Sequence, residues 1–146
     1  MIHVLPSSEN EIHLFVEMEQ SEDTSRFIIP NKKEVHLKEF AKSNIYYLSI
    51  KQNDKTVGFV ILVIDAQSNS VELRRIVVAS KGLGIGQEAI LKIEGFVMEV
   101  LNFNRIWLDV FESNSRGKHI YEKLGYKEFK RSLFEGAPLI LMEKLL

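Results

Sequence analysis

The sequence predicts an α/β fold built on one mixed, mostly antiparallel sheet with helices on both faces. Three observations lead to this prediction. Short β-branched runs separated by turn residues fill residues 45–78. A stretch of glycines, VVASKGLGIGQEAI, then leads into an amphipathic helix. The apolar run RIWLDVF follows that helix, so the strands before and after it should be parallel neighbours joined by a right-handed crossover.

Each element has its own local pattern. The predicted strands are 2–5, 45–51, 56–65, 70–78, 105–111, 126–131 and 139–146. The predicted helices are 9–20, 34–42, 85 to about 102, and 115–124. The helix from residue 85 is the clearest, because its apolar residues recur at spacings of three and four. Strand 105–111 is apolar on both faces, which predicts a central strand covered from both sides.

Composition excludes several classes of protein. The chain has 146 residues, 45% of them hydrophobic, which is typical of one globular domain. A net charge of −1 argues against bulk attraction to nucleic acid or to an anionic membrane. No cysteine is present, so disulfides, thiolate metal sites and a cysteine nucleophile are excluded. The scattered histidines predict no metal site, and without a signal peptide or membrane-spanning run we expect a cytoplasmic protein.

Three glycines, Gly82, Gly84 and Gly86, lie between a strand and a helix. Backbone N–H groups at such a junction point in one direction, and the helix N-terminus favours an anion. The alternative is a tight turn that binds nothing. A Walker loop is excluded because Gln87 and Glu88 follow the last glycine. The spacing G-x-G-x-G departs from the dinucleotide fingerprint, which leaves a nicotinamide-dependent reductase as a distant alternative.

Two motifs resemble those of the GNAT (GCN5-related N-acetyltransferase) family. KGLGIG is similar to that family's pyrophosphate loop, Q/R-x-x-G-x-G/A, with Lys81 where Gln or Arg is usual. Residues 114–126, NSRGKHIYEKLGY, resemble N-x-R-A-x-x-L-Y-E-K-x-G-F, with Gly117 in place of the common alanine. The resemblance covers essentially the whole chain and is strongest over 71–129. ELRRIVV and RIWLDVFESN most resemble the branch of ribosomal-protein and peptide N-acetyltransferases.

The resemblance implies a single N-acetyltransferase domain, 1–146, with a parallel strand pair splayed around the cofactor. It implies transfer of an acetyl group from acetyl-CoA directly to a primary amine in a ternary complex, with CoA as product. The acceptor would be a small molecule or a peptide or protein amine, selected by residues 1–44 and by the loop before Leu139. A non-catalytic acyl-CoA sensor or interaction module on the same fold is the alternative. Exposed strands near the end of the chain could pair two subunits, so a homodimer is an open alternative.

The resemblance also assigns residues. The implied cofactor-binding residues are Ile76, Val77, Val78, Lys81, Gly82, Leu83, Gly84, Ile85, Gly86, Gln87, Asn114 and Tyr121. The implied catalytic residues are Tyr121 as general acid, Glu72 as general base and Asn114 as a hydrogen-bonding group. One backbone N–H, that of Val77 or Val78, would polarise the thioester carbonyl.

Each of these side chains also has a simpler interpretation. Tyr121 can be an aromatic residue that packs its helix on the sheet, and Asn114 can cap that helix. Glu72 can be exposed on an alternating strand. Arg74 and Arg75 can form surface ion pairs or recognise an acidic group of the substrate.

Overall fold

The computed structural model describes residues 1–21, 28–79 and 84–146. Its strands are β1 (Ile2–Pro6), β2 (Ile45–Gln52), β3 (Lys55–Asp65), β4 (Ser70–Val78), β5 (Arg105–Phe111), β6 (Lys127–Phe134) and β7 (Ala137–Leu145). Its helices are α1 (Ile12–Glu19), α2 (Lys33–Phe40), α3 (Ile85–Glu99) and α4 (Ser115–Lys123), with a 3₁₀ turn at Glu9–Glu11 before α1. Within the described ranges the predicted fold class is therefore confirmed.

The strands form one sheet in the order β1-β2-β3-β4-β5-β7-β6. Every neighbouring pair is antiparallel except β4 and β5, which are parallel and joined through α3. Two hydrophobic clusters cover the two faces. One contains buried residues of α3 and is joined by half-buried Tyr121 of α4. The other contains buried residues of α1 and is joined by half-buried residues of α2. The predicted helices on both faces are thus confirmed.

Local chemistry explains the turns. Asn53 and Asp54 have positive φ, as a tight two-residue hairpin turn requires, and they join β2 to β3 where the turn was expected. Glu135 and Gly136 also have positive φ, and they close a hairpin between β6 and β7. Both strands are consequently extended toward this turn beyond the predicted limits 126–131 and 139–146. The sequence pattern predicted both strands but not their extension to this turn, because a glutamate is a weak turn signal.

Strand β5 departs from its prediction. Ile106, Leu108 and Val110 are buried on one face. On the other face Trp107 and Phe111 are half-buried and Asp109 is exposed. The prediction that both faces of this strand are covered is therefore wrong, because its second face borders a cleft.

Candidate active site

The cleft arises where β4 and β5 diverge. The two strands pair only at Val71 with Ile106 and at Glu72 with Trp107, although β4 continues to Val78. Beyond these pairs the described chain places no strand against the β5 side of β4. A cleft of about 420 Å³ opens there. Its lining residues are Ile28, Ile29, Glu72, Leu73, Arg74, Arg75, Ile76, Asp109, Val110, Phe111, Asn114, Tyr121, Phe134 and Leu139.

A β-bulge decides which side chains of β4 reach the cleft. Ile61 pairs with Arg75 but Leu62 pairs with Leu73, so Arg74 is an extra residue in β4. Without the bulge, strict alternation would put Arg75 on the face opposite Glu72. With it, both side chains line the cleft. The bulge therefore gathers Glu72, Arg74 and Arg75 at one place.

Backbone direction distinguishes Val78 from Val77. The Ala79 N–H donates to the Val57 carbonyl oxygen at 2.8 Å, so it points toward β3. Along a strand successive N–H groups point to opposite edges, which turns the Val77 N–H toward β3 and those of Val78 and Ile76 toward the open edge. The Val77 side chain is also 1% exposed in the core. Of the two candidates for a carbonyl-polarising amide, this geometry favours Val78.

The glycine junction is partly described. Gly84 caps the N-terminus of α3 with φ +73°, a left-handed conformation in which a Cβ is strained. Among described residues, a Cβ there would meet no atom within 4 Å, and one at Gly86 would meet only Val78 Cγ2 at 3.8 Å. The described residues therefore leave space beside this helix N-terminus, which fits a bound phosphate. Lys81, Gly82 and Leu83 lie outside the described residues.

The two neighbouring residues of the helix differ in burial. The Ile85 side chain is 3% exposed in the core, so only its backbone can face a ligand. Gln87 is half-buried in the first turn of α3. The first N–H groups of a helix have no partner within it, which leaves those of Ile85, Gly86 and Gln87 able to bind an anion.

Asn114 caps α4. Its Oδ1 accepts a hydrogen bond from the Gly117 N–H at 2.9 Å, and its side chain borders the cleft. A Cβ at residue 117 would lie 2.6 Å from Asn114 Nδ2. The glycine that replaces the usual alanine therefore makes room for this capping side chain. The capping interpretation holds, and the same side chain also reaches the cleft.

Tyr121 lies on α4 and lines the cleft. Its ring packs edge-on against that of Tyr126 at a centroid distance of 6.0 Å, so it also has the packing role. Burial, together with the negative charge of Asp109, raises the pKa of Tyr121 to about 12. The phenol therefore keeps its proton at neutral pH.

Two carboxylates face the cleft. The Glu72 side chain is only 15% exposed and accepts a hydrogen bond from Arg74 at 3.2 Å, so simple solvent exposure does not explain it. Burial raises the pKa of Glu72 despite Arg74, and Asp109 raises it further. Burial likewise raises the pKa of Asp109, against the opposing charges of Arg74 and Arg75. Sequence reasoning gave Asp109 no role here, although a lone acid in RIWLDVF was a visible signal.

The Arg75 guanidinium is bonded to Glu19, a residue that does not line the described cleft. Its Nη1 donates to Glu19 Oε2 at 2.5 Å. Glu19 is 0% exposed, and its Oε1 accepts from His36 Nε2 at 2.6 Å and from the Asn31 N–H at 3.1 Å. His36 Nδ1 in turn lies 2.6 Å from Tyr47 Oη. We call Glu19, His36, Tyr47 and Arg75 the Glu19 cluster. Sequence reasoning missed this cluster because its members come from four separate elements.

Comparison with known proteins identifies the class. The family model described as Acetyltransferase (GNAT) family matches residues 12–126. The chain therefore belongs to the GNAT family, and its class is that of the acetyl-CoA-dependent N-acetyltransferases. An uncharacterised N-acetyltransferase of Methanocaldococcus jannaschii is 26% identical over 104 residues. That match spans 69% of this chain and 66% of the relative.

Solved structures show the same fold. A spermidine N-acetyltransferase from Vibrio cholerae, in complex with CoA and spermine, has a TM-score of 0.86 and 17% identity over 99% of this chain and 95% of that chain. A dodecameric form of that enzyme has a TM-score of 0.80, also at 17% identity, over 99% of this chain and 93% of that chain. No described helix has the length and apolar character needed to cross a membrane. Within the described ranges, no three His, Cys, Asp or Glu side chains group as metal ligands.

Proposed function

We propose that this chain transfers an acetyl group from acetyl-CoA directly to a primary amine, in a ternary complex and within one domain spanning 1–146. The divergence of β4 and β5 carries this proposal. It leaves the Val78 N–H facing a gap whose rim holds a protonated phenol and two carboxylates. Direct transfer needs no nucleophile on the enzyme, which suits a chain without cysteine.

Acetyl-CoA supplies an acetyl group on a thioester when it is bound. The backbone of Ile76 and Val78 would bind its arm along the open edge of β4. The loop 81–84, with the first N–H groups of α3, would hold its pyrophosphate. Open space at Gly84 and Gly86 supports this assignment. The Val78 N–H would donate to the carbonyl oxygen on which negative charge develops.

Glu72 and Asp109 would accept the proton that the amine loses. Burial and the charge of Asp109, against the opposing charge of Arg74, make Glu72 a stronger base than an exposed glutamate. Tyr121 would give its proton to the departing sulfur as negative charge develops there and the C–S bond breaks. Neutralisation of Asp109 by the amine proton removes a charge that raises the pKa of Tyr121. The phenol thus becomes a better acid at the moment its proton is needed.

Calorimetric titration with acetyl-CoA, CoA and NADH tests this function. The wild-type chain should bind acetyl-CoA and CoA but not NADH. Gly84→Glu should lose both because a carboxylate would occupy the anion site, while its thermal unfolding remains cooperative. A folded wild-type chain that ignores CoA would refute the proposal. Binding without thiol release across a panel of amines, peptides and proteins would favour an acyl-CoA sensor.

The acceptor panel should include spermidine and spermine, because structural neighbours of this fold are spermidine N-acetyltransferases. It should also include peptides with free N-termini, in line with the motif resemblance. Sedimentation at several concentrations would show whether the chain forms a homodimer or a larger assembly, one neighbour being dodecameric.

A further inference from the structure

The described lining of the cleft includes five large apolar residues, which we call the walls, and four charged residues, which we call the floor. The walls are Ile28, Ile29, Phe111, Phe134 and Leu139. The floor carries Glu72, Arg74, Arg75 and Asp109. An acceptor would therefore pack a hydrocarbon body against the walls and place its charged groups on the floor.

The Arg75 guanidinium is already neutralised. Its ion pair with Glu19 has an N–O distance of 2.5 Å, and the two side chains are 14% and 0% exposed. Glu19 does not line the cleft and is fixed by His36 and by the Asn31 N–H. A buried pair with this many hydrogen bonds does not readily give up its cation to a ligand.

Arg74 is engaged as well. It donates to Glu72 at 3.2 Å, and its Nη1 lies 3.9 Å from Glu39 Oε2. Asp109, by contrast, has no hydrogen bond or ion pair to any described residue. Among described residues the floor therefore presents a carboxylate that has no hydrogen bond or ion pair, whereas each of its guanidinium groups has one.

We propose that the cleft selects amines that have an apolar body and no carboxylate beside the nitrogen, and that Glu19 sets this selectivity by neutralising Arg75. This inference rests on the proposed acetyl transfer and names the class of acceptor. An ammonium group on such a body would pair with Asp109. A neighbouring carboxylate would meet Asp109 and find no uncommitted cation on the described floor.

Three matched probes test the selectivity of the wild-type chain: phenethylamine, L-phenylalaninamide and L-phenylalanine. They share one apolar body, and only the last has a carboxylate. Calorimetry on the CoA-loaded chain should show phenylalanine binding about tenfold or more weakly than the other two. Thiol release from acetyl-CoA should rank the three in the same way. Phenylalanine binding as tightly as phenethylamine, or no binding of any probe, would overturn the proposal.

Variants then assign the selectivity to Glu19. Glu19→Gln removes the neutralising charge from Arg75, so the roughly tenfold gap should shrink to about threefold or less. Glu94→Gln is the matched control, since Glu94 is a buried glutamate paired with Lys144 and neither residue lines the described cleft. It should keep the wild-type gap. An unchanged gap in a folded Glu19→Gln chain would overturn the role of Glu19.

Asp109→Asn offers a second route if Glu19→Gln does not fold. It removes the floor carboxylate, so phenylalanine should approach phenethylamine in affinity. A gap that persists would overturn the assignment. Failure of this inference is distinguishable from failure of the acetyl transfer. In the first case acetyl-CoA still binds and other amines are acetylated. In the second, acetyl-CoA either does not bind or binds without transfer to any amine of the panel.

Discussion

Two buried glutamates in this molecule have similar surroundings and different consequences. Glu19 is bonded to Arg75 and His36, and His36 reaches Tyr47. Glu94 accepts hydrogen bonds from Tyr126 at 2.9 Å and from Lys144 at 2.9 Å. Both carboxylates are thus satisfied by a cation and a second donor. Only the cation of Glu19, however, lines the cleft.

The comparison shows that a buried ion pair can be structural or can also define a site, depending on where its cation lies. The Glu94 group joins α3 to β7 and to the residue before β6. The Glu19 cluster joins α1, α2 and β2 to the bulged part of β4. We infer that the first group contributes stability alone, whereas the second transmits the positions of two helices to the acceptor cleft.

The largest expected effect separates the two neighbouring tyrosines, Tyr121 and Tyr126. Tyr121→Phe should lower kcat by about 10²–10³-fold because the proposed general acid is lost, with little change in acetyl-CoA affinity. Tyr126→Phe should lower stability because it leaves Glu94 without one donor, and kcat should change little. Steady-state kinetics and thermal unfolding of both variants check this. Equal loss of kcat in the two would mean that Tyr121 acts only by packing.

Glu19 and Glu94 should make similar contributions to the free energy of unfolding. Glu19→Gln and Glu94→Gln each break a buried ion pair, so each should lower the free energy of unfolding by about 2–3 kcal/mol. Urea unfolding measures both. A change confined to one of them would break the comparison.

The cleft carboxylates offer a smaller effect on rate. Asp109→Asn removes a like charge beside Glu72, so the pKa of Glu72 should fall. The acid limb of the kcat/KM profile should then move to lower pH, and kcat/KM at neutral pH should fall roughly tenfold because the remaining base is weaker. A pH profile with the best acceptor checks this. A limb that stays in place would show that Asp109 does not act on the base.

The smallest expected effect concerns Glu11, whose carboxylate is far in sequence from the cleft residues. Burial would raise the pKa of Glu11, but hydrogen bonds from Lys51, Ser8, Thr56 and Ser49 lower it to about 2. Because the folded-state pKa is depressed, this stability is present above about pH 4.5 and is lost as pH falls toward 2. Glu11→Gln should remove about 1–2 kcal/mol at neutral pH and flatten this acid dependence. Glu9→Gln is the exposed control, and equal acid profiles of the two variants would contradict the assignment.

Local patterns predicted most of the fold. The limits of β4 and β5 match the predicted limits. This is because an alternating run begins abruptly at Ser70 and an apolar run begins abruptly at Arg105. The first predicted helix was less accurate, since residues 9–11 form a 3₁₀ turn whose Ser8 and Glu11 cap each other. Such a shift of helix type has no signature in hydrophobic periodicity.

Sequence motifs predicted some residues of the site. They did not predict the residues whose position depends on the register between strands. Tyr121, Asn114 and Glu72 all reach the cleft, while their chemical roles stay predictions. Arg75 joins them only because Arg74 bulges, and no single-strand pattern reveals a bulge that requires its partner strand. The Glu19 cluster needs contacts across 56 residues, between Glu19 and Arg75, which a linear sequence does not display.

The one-sided pairing of β4 has a kinetic counterpart in amide hydrogen exchange. The N–H groups of Val77 and Ala79 face β3, and those of Ile76 and Val78 face the gap. In the free protein, exchange should therefore alternate between slow and fast at every second residue along this strand. A ligand lying along the open edge would slow only the fast positions. Protection by the ligand would then recur at every second residue of β4. Hydrogen exchange could therefore show how a ligand lies along this edge in place of a strand, without a structure of the complex.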